Sequence, residues 1–498
     1  METKRRYSFA RPALHFILQG DDTVRVKLAI LFLFSVFAVH ATTLDYTLWS
    51  AGPRSVVRGR MAIIAAGANI KAGSGTQSTA TLSNLPPNSR GYVIVNVTRY
   101  PNTAGFPLND TIGLKVLTTP STPLGVYHMT LTVTSKSVSD GKIIKRTVSV
   151  PLEVRTLAAA LTKKTFPPDV PLAAVAQWKT NMITYGNKQV AEGTIGCCSD
   201  FTDVWYYDGG RAFLQMADYL GNQTFLDFAR RINNAYRDNM LITEGSRKYA
   251  VYPHGLREFY RRFGDAKSKD AVAALHKSPA YGYHAQWGAP WNASREMAFG
   301  LSVHVVAESL GLPRQMPSAS LGFESGGSLY DECVAIVLGH FEQWFVSETA
   351  KFVYPFMVGL SAEALIDYYE VTKDPEVPWL LKLAADKMYP NPLTWHETSE
   401  SMMIVEEKNG VVTRGPAPDL NLMIAPLYGW VYQQTGDVKY RDIGDRIFAS
   451  GVKRAYLEKG KQFTQNYRWS FKYLQWRSAQ AQPLVNPEPP SLLSAVPQ

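Results

Sequence analysis

The sequence predicts two unlike halves, a β-sandwich over residues 42–157 and an all-α array of helical hairpins over 176–480. Three observations predict them. Before residue 157, short runs rich in Val, Ile, Thr and Tyr alternate apolar and polar residues, the period of a half-buried strand. Beyond residue 175 the apolar period lengthens to that of a helix. Within that second half one scheme recurs: a helix, a tight polar turn, and a second helix opening on an aromatic.

Residues 1–41 read as a leader. Arg25 and Lys27 precede the apolar run Leu28–Val39, broken by Ser35, and Val39-His40-Ala41 resembles a small-residue cleavage site with the cut after Ala41. The run is short for a membrane span. Because residues 1–23 lie upstream of this signal, a start near Val24 or Val26 is expected; the alternative is an uncleaved, anchored N-terminus. Either way the body of the chain is expected outside the cytoplasm, secreted or periplasmic, with no stable membrane span once mature.

In the first half, "GYVIVNVTRY" (91–100), "GVYHMTLTVTS" (125–135) and "IIKRTVSVPLEV" (143–154) are the clearest strands, separated by "LPPNSRG" and "TTPSTPLG". About seven short strands in this length imply a sandwich. It holds no catalytic cluster, so a spacer or docking role is expected. Residues 158–175 are a linker, and 481–498 a Pro-rich tail. The formal charge of +10 belongs to the N-terminal part: residues 42–157 hold 12 Lys/Arg against 4 Asp/Glu, whereas 158–498 hold 34 against 35. No Lys/Arg-rich run follows, which argues against a nucleic-acid partner.

In the second half, "RAFLQMADYLGNQTFLDFARRINNAY" (211–236) is a helix, a Gly-Asn turn and a second helix. Segments 256–276, 361–389 and 422–452 repeat the scheme, and 295–313 and 466–477 supply further first helices. "LYDECVAIVLGHFEQWF" reads as a connecting helix, with Glu332 and His340 in packing or ion-pair roles. Five or six such hairpins must close or stack to bury their apolar faces. Three Cys, the adjacent Cys197 and Cys198 and the distant Cys333, are too few for a disulfide scaffold, though one bridge to Cys333 is open. No CxxC or HExxH accompanies them, so neither a metal nor a cofactor is expected.

This repeat pattern resembles the six-hairpin (α/α)-toroid carbohydrate-active enzymes. "TPLGVYHMTLTVTS" resembles the late hairpin of bacterial Ig-like modules, and an Ig-like module followed by a toroid is similar in domain order to family 9 glycoside hydrolases. Neither the Asp-Ala-Gly-Asp segment of that family nor its late Asn-Glu motif is present, so no residue is carried over from it. The resemblance implies a polarity: short turns on one face, and longer loops entering each first helix on the active face.

Sorted by that polarity, the entry segments are rich in acids and aromatics. The first, "SDFTDVWYYDGGR", offers Asp203, Trp205, Tyr206, Tyr207, Asp208 and Arg211. The later ones offer His254; His284, Trp287, Trp291, Arg295 and Glu296; Tyr354; Asp419 and Asn421; and Tyr467 with Asn466. Glycosidic cleavage needs a protonated carboxyl beside the leaving oxygen and a carboxylate on the other side of the sugar. The catalytic candidates are therefore Asp203, Asp208, Glu296 and Asp419. Asp203 or Asp208 is the expected base, beside the positive end of a helix, and Glu296 is preferred over Asp419 as the acid. Helix capping competes for Asp208 and Asp419, a loop-ordering hydrogen bond for Asp203, and an Arg295 ion pair for Glu296. Replacement of Asp208 by Asn is expected to leave stability nearly unchanged, since both residues cap helices.

Trp205, Tyr206, Tyr207, Trp287 and Trp291 are candidate stacking surfaces for sugar rings, with core packing as the competing role. Arg211, His254, His284, Arg295, Tyr354, Asn421 and Tyr467 complete the substrate-binding set. The function expected is an exported glycoside hydrolase acting on a polysaccharide or oligosaccharide. A polysaccharide lyase using a Tyr or His base, and a non-catalytic glycan-binding protein, are the alternatives.

Overall fold

The computed structural model describes residues 43–95, 104–106, 112–196, 203–245, 251–277, 293–315, 328–408 and 411–478. The leader with its signal pattern, Cys197, Cys198, His284, Trp287, Trp291 and the Pro-rich tail lie outside the described residues.

The β region comprises β1 (Asp45–Ala51), β2 (Ser55–Val57), β3 (Met61–Ala72), β4 (Gly75–Ser83), β5 (Arg90–Val95), β6 (Ala104–Phe106), β7 (Ile112–Leu117), β8 (Gly125–Ser137) and β9 (Ile143–Arg155). They form two sheets, ordered β1-β3-β7-β5 and β2-β9-β8-β4-β6. The β8–β9 ladder runs from Gly125 opposite Val154 to Lys136 opposite Ile143, and among the described residues only β2 and β9 pair parallel. Alternation places Leu114 and Val116, Met129, Leu131 and Val133, and Val150, Leu152 and Val154 in one core shared by both sheets. Tyr46 crosses that core, its hydroxyl donating to the carbonyls of Val133 and Ile144, both at 2.9 Å. β2 and β6 exceed the expected strand number because three residues are too few to display an alternation.

The second region begins with α1 (Ala174–Glu192) and continues in hairpins: α2 (Gly209–Leu220) with α3 (Gln223–Ile242), α4 (Pro253–Phe263) with α5 (Ala266–Lys277), and α6 (Ser294–Ser309) with α7 (Leu329–Phe341). Then follow α8 (Pro355–Thr372) with α9 (Glu376–Met388) and α10 (Asn421–Thr435) with α11 (Val438–Arg454). The short α12 (Gly460–Tyr467) and α13 (Ser470–Trp476) come last. The first helices α2, α4, α6, α8 and α10 pack on one another in chain order; α12 and α13 pack on α10, and α12 returns to α2. The interior helices are apolar almost all round, as helices covered on every side must be: α10 buries residues from Asn421 through Tyr432 without interruption.

Four features differ from the sequence reading. "LYDECVAIVLGHFEQWF" is no connector; it forms α7, packed on α6 as its hairpin partner, and continues into a π-turn over Glu342–Val346. The stretch 466–477 divides at Arg468–Trp469 into α12 and α13. The linker is tied down: Lys164 N donates to Thr435 O at 2.6 Å, and Phe166 meets Tyr432 edge-on at 5.1 Å. Lastly, a three-stranded sheet, β10 (Trp395–His396), β11 (Ser401–Lys408) and β12 (Val411–Pro416), precedes α10. Its signal was legible in "MMIVEEKNGVVTRG", where Asn-Gly separates two β-rich runs.

The β region is docked on α7–α9 by charge pairs. Lys115 Nζ lies 2.7 Å from Glu332 Oε1 with both side chains inaccessible to solvent, Arg60 pairs with Asp374 at 2.6 Å, and Arg155 pairs with Glu376. Glu332 and His340 are buried, as expected for packing or ion-pair residues. Cys333 is buried with a free thiol, pushed up by burial and by the neighbouring Glu332.

Candidate functional site

The first entry segment is built around a tight, strained turn. Tyr207 and Asp208 are successive non-glycine residues with positive φ, 57° and 63°. Each conformation of this kind costs about 1–3 kcal/mol. The glycine pair that follows is dictated by close approach: a Cβ on Gly209 would sit 1.8 Å from Val204 O. Asp208 caps α2, its Oδ1 accepting from Arg211 N at 3.2 Å, and its Oδ2 accepts from Gly255 N at 3.0 Å. Both carboxylate oxygens are thereby engaged by backbone. Asp203 lies at the turn's entrance, its carboxylate against Gly196, where a Cβ would lie 1.3 Å from Oδ2.

The aromatics of this segment face inward. Trp205, Tyr206 and Tyr207 are all buried. Trp205 stacks on Tyr236 with centroids 6.5 Å apart, while Tyr206 meets Tyr207 and Tyr252 edge-on at 4.9 and 5.6 Å. Burial pushes the Tyr207 hydroxyl up to about 12, with Tyr206 adding and Arg295 opposing. Lys461 of α12 holds its ammonium 5.2 Å from the Tyr206 ring centroid. Burial, then the charge of Arg295, pulls that ammonium down.

Arg295 and Glu296 form an ion pair in the first turn of α6, with Arg295 Nε 2.9 Å from Glu296 Oε1. Glu296 and Arg295 both act electrostatically on Tyr207, so the first and third entry segments meet here. Asp419 lies on a 3-10 turn before α10; its carboxylate accepts from Tyr456 N, and its carbonyl accepts from Gln465 Nε2 at 2.7 Å. Burial raises this carboxyl more than the Tyr456 bond lowers it. Through α12, which carries both Lys461 and Gln465, Asp419 joins the end of the molecule that holds Tyr206, Arg295 and Glu296.

Deeper along the same inner helices lies a charge network that engages two predicted binders, Arg211 and His254, through Glu363, Asp367 and Arg468, which the sequence reading missed. Glu363 of α8 accepts from Arg211 at 2.6 Å and from Arg468 at 2.5 Å. Burial would raise this carboxyl, but the two guanidinium groups bring it below the usual range. One turn on, Asp367 Oδ2 lies 2.6 Å from His254 Nε2. Here too burial opposes ionisation, and the His254 ring with Arg257 and Arg211 holds the carboxyl down at about 2. Arg468 is 3% exposed, yet its Nε and Nη1 have no hydrogen-bond partner among the described residues. The available signal was Glu363 itself, one acid inside the apolar run "FMVGLSAEALI"; such a residue needs a buried partner.

Three predicted binders are engaged by the scaffold. Asn421 is fully buried, Oδ1 accepting from Met402 N and Nδ2 donating to Glu400 O and Ile447 O, so it clasps the small sheet to α10 and α11. Tyr467 donates to Trp178 O at 2.9 Å, and burial pushes its hydroxyl well up, against use as a base. Tyr354 precedes α8 and packs edge-on against Phe352 at 5.0 Å.

No protein-family model and no curated protein sequence matches the chain. Among solved structures it is similar, at a TM-score of 0.36 and 10% identity, to a family 76 glycoside hydrolase from a bovine Bacteroides thetaiotaomicron strain, over 88% of this chain and 100% of that one. It is also similar to native alpha-2-macroglobulin of E. coli, at 0.28 and 11%, over 86% of this chain and 26% of that one. A segment of the same macroglobulin, from domain MG7 to its C-terminus, aligns at 0.25 and 9%, over 86% and 66%. Similarities this distant assign no function.

Proposed function

We propose that the chain is an exported glycoside hydrolase acting on a polysaccharide or oligosaccharide, with an Ig-like module followed by an (α/α) toroid. The closed succession of helix contacts from α2 to α12 and back supports the toroid. The two sheets around one core support the module. The basic, apolar and small-residue pattern of 25–41 supports export.

The observation that carries the reading is the pair of carboxyl groups with unlike environments at one end of the inner helices. Asp419 is raised by burial and suits a proton donor; Glu296 is held by Arg295 and suits a carboxylate. In the proposed reaction Asp419 gives its proton to the glycosidic oxygen as the bond to the sugar breaks. Glu296 stabilises the developing positive charge or activates water on the opposite face. Sequence alone favoured Glu296 as the acid and Asp203 or Asp208 as the base; here Asp419 takes the acid role, Glu296 moves to the carboxylate role, and Asp208 is left as a cap.

The test is product analysis on neutral and uronate glycans. Hydrolysis should release saturated reducing ends, and Asp419→Asn and Glu296→Gln should each lower turnover about 100-fold or more with the fold retained. Unaltered turnover in both variants would remove these roles. Growth of ultraviolet absorbance on a uronate polymer alone would mean a lyase, and glycan binding without any cleavage a binding protein. Mass spectrometry of the exported chain should find an N-terminus at Thr42 or a close neighbour; an intact Met1 form as the sole species would refute export.

A further inference from the structure

Where the β region meets the helices, the described residues line a half-open cavity of about 490 Å³. Its walls are Val57 and Met61 from β2 and β3, Val334 and Leu338 from one face of α7, and Leu380 of α9. Seven charged residues also line it: Arg60, Arg155 and Arg314 against Asp331, Glu342, Asp374 and Glu376. The three arginines are all committed. Arg60 pairs with Asp374, Arg155 with Glu376, and Arg314 with Glu308 and Asp331. An anion would have to break one of these pairs.

The carboxylates are less well matched. Glu376 is 2% exposed; its Oε1 meets Arg155, while its Oε2 is buried with no hydrogen-bond partner among the described residues. Glu342 is held by neutral donors, Arg54 N at 2.9 Å and the hydroxyls of Ser55 and Ser347, each at 3.2 Å. Among the described residues it has no ion-pair partner, and burial pushes its carboxyl up. The two acids belong to one wall, because Arg155 Nε also donates to Ser55 Oγ at 3.2 Å. Glu376 therefore keeps one oxygen without a donor and Glu342 lacks a cation, and buried carboxylate atoms left so are costly unless a cation or donor reaches them.

We infer that this interdomain cavity binds a small organic cation, a protonated amine with an apolar body, its ammonium at Glu376 and Glu342 and its body against Val57, Met61, Val334, Leu338 and Leu380. The site is separate from the carboxyl pair proposed for hydrolysis, and the inference stands or falls independently of it. Sites with apolar walls and a few convergent polar groups are typical of small-molecule pockets between domains.

Calorimetric titration of the full chain with n-hexylammonium, n-hexanol and hexanoate tests it. Hexylammonium should bind once per chain, about 10-fold or more tighter than hexanol, because a charge-assisted hydrogen bond separates them. Hexanoate should not bind. Glu376→Gln should remove that preference, and Val334→Phe, which fills the void without touching an ion pair, should abolish binding of both. Equal binding of all three probes, tighter hexanoate, no hexylammonium binding, or full hexylammonium affinity in a folded Val334→Phe chain would overturn the assignment.

Discussion

The Asp208 carboxylate shows how a residue's partners change what a substitution does. Capping alone would let Asn replace it freely, because one acceptor oxygen serves Arg211 N. The second oxygen, however, accepts from Gly255 N across two helices. In Asp208→Asn either that contact or the cap faces an amide NH₂, so a buried donor loses its acceptor. The expected cost is about 1–3 kcal/mol, read as a lower urea midpoint at unchanged m-value. A variant as stable as the parent would show that the turn relaxes. Gly255→Ala should be worse still, since its Cβ would lie 2.4 Å from Asp208 Oδ1. The requirement for an acid before α2 was visible in "YYDGGR"; the second bond was not, because Gly255 is distant in sequence.

Between α5 and α6 the packing of elements places two imidazoles together. His276 and His304 are buried, edge to face, with centroids 4.7 Å apart. Burial, then Lys277, lowers His276 to about 4; burial, then His276 and Arg314, lowers His304 to about 3. Tyr330 also faces His304, at 6.2 Å. Both rings are depressed below the unfolded value of 6.5, so the unfolded chain binds more protons below that pH. Their stabilisation is complete above pH 6.5 and declines as pH falls towards 4. The slope approaches about 1.4 kcal/mol per pH unit for each ring at most. Melting temperature should therefore fall between pH 6.5 and 4.5, and His304→Phe should flatten that decline. A flat profile in the parent chain would refute the shifts. The Asp367 contribution lies lower, present above the usual carboxylate range and lost as pH falls towards 2.

At the scale of the whole molecule, the fully buried Lys115–Glu332 pair fastens the β region to α7. Burial raises the Glu332 carboxyl more than Lys115 lowers it, so the pair does not fully offset desolvation. Lys115→Met would leave Glu332 without its cation and should cost about 3–5 kcal/mol, whereas Lys115→Met with Glu332→Leu should recover most of that loss. Chemical denaturation of the three chains checks both statements; additive losses in the double variant would contradict the coupling. A joint built from such pairs fixes where the β region sits, and so shapes the cavity beside it.

Local pattern by itself determined the two halves, the β8–β9 strands, most helical hairpins and the crowding of acids and aromatics at helix entries. These are properties of residues within a few positions of one another: period, turn chemistry and capping. The small sheet before α10 was equally local and went unread in "EEKNGVV". Only the tertiary structure decided that Trp205, Tyr206 and Tyr207 turn inward, that Asn421 and Tyr467 serve the scaffold, and that Glu363 joins Arg211 to Arg468. It also decided that Asp419 is half-buried and bonded to Tyr456 N, while Glu296 is buried and paired with Arg295. The reason is physical: a side chain's role depends on which distant backbone amides and charges reach it, and those arrive only when helices far apart in the chain pack together.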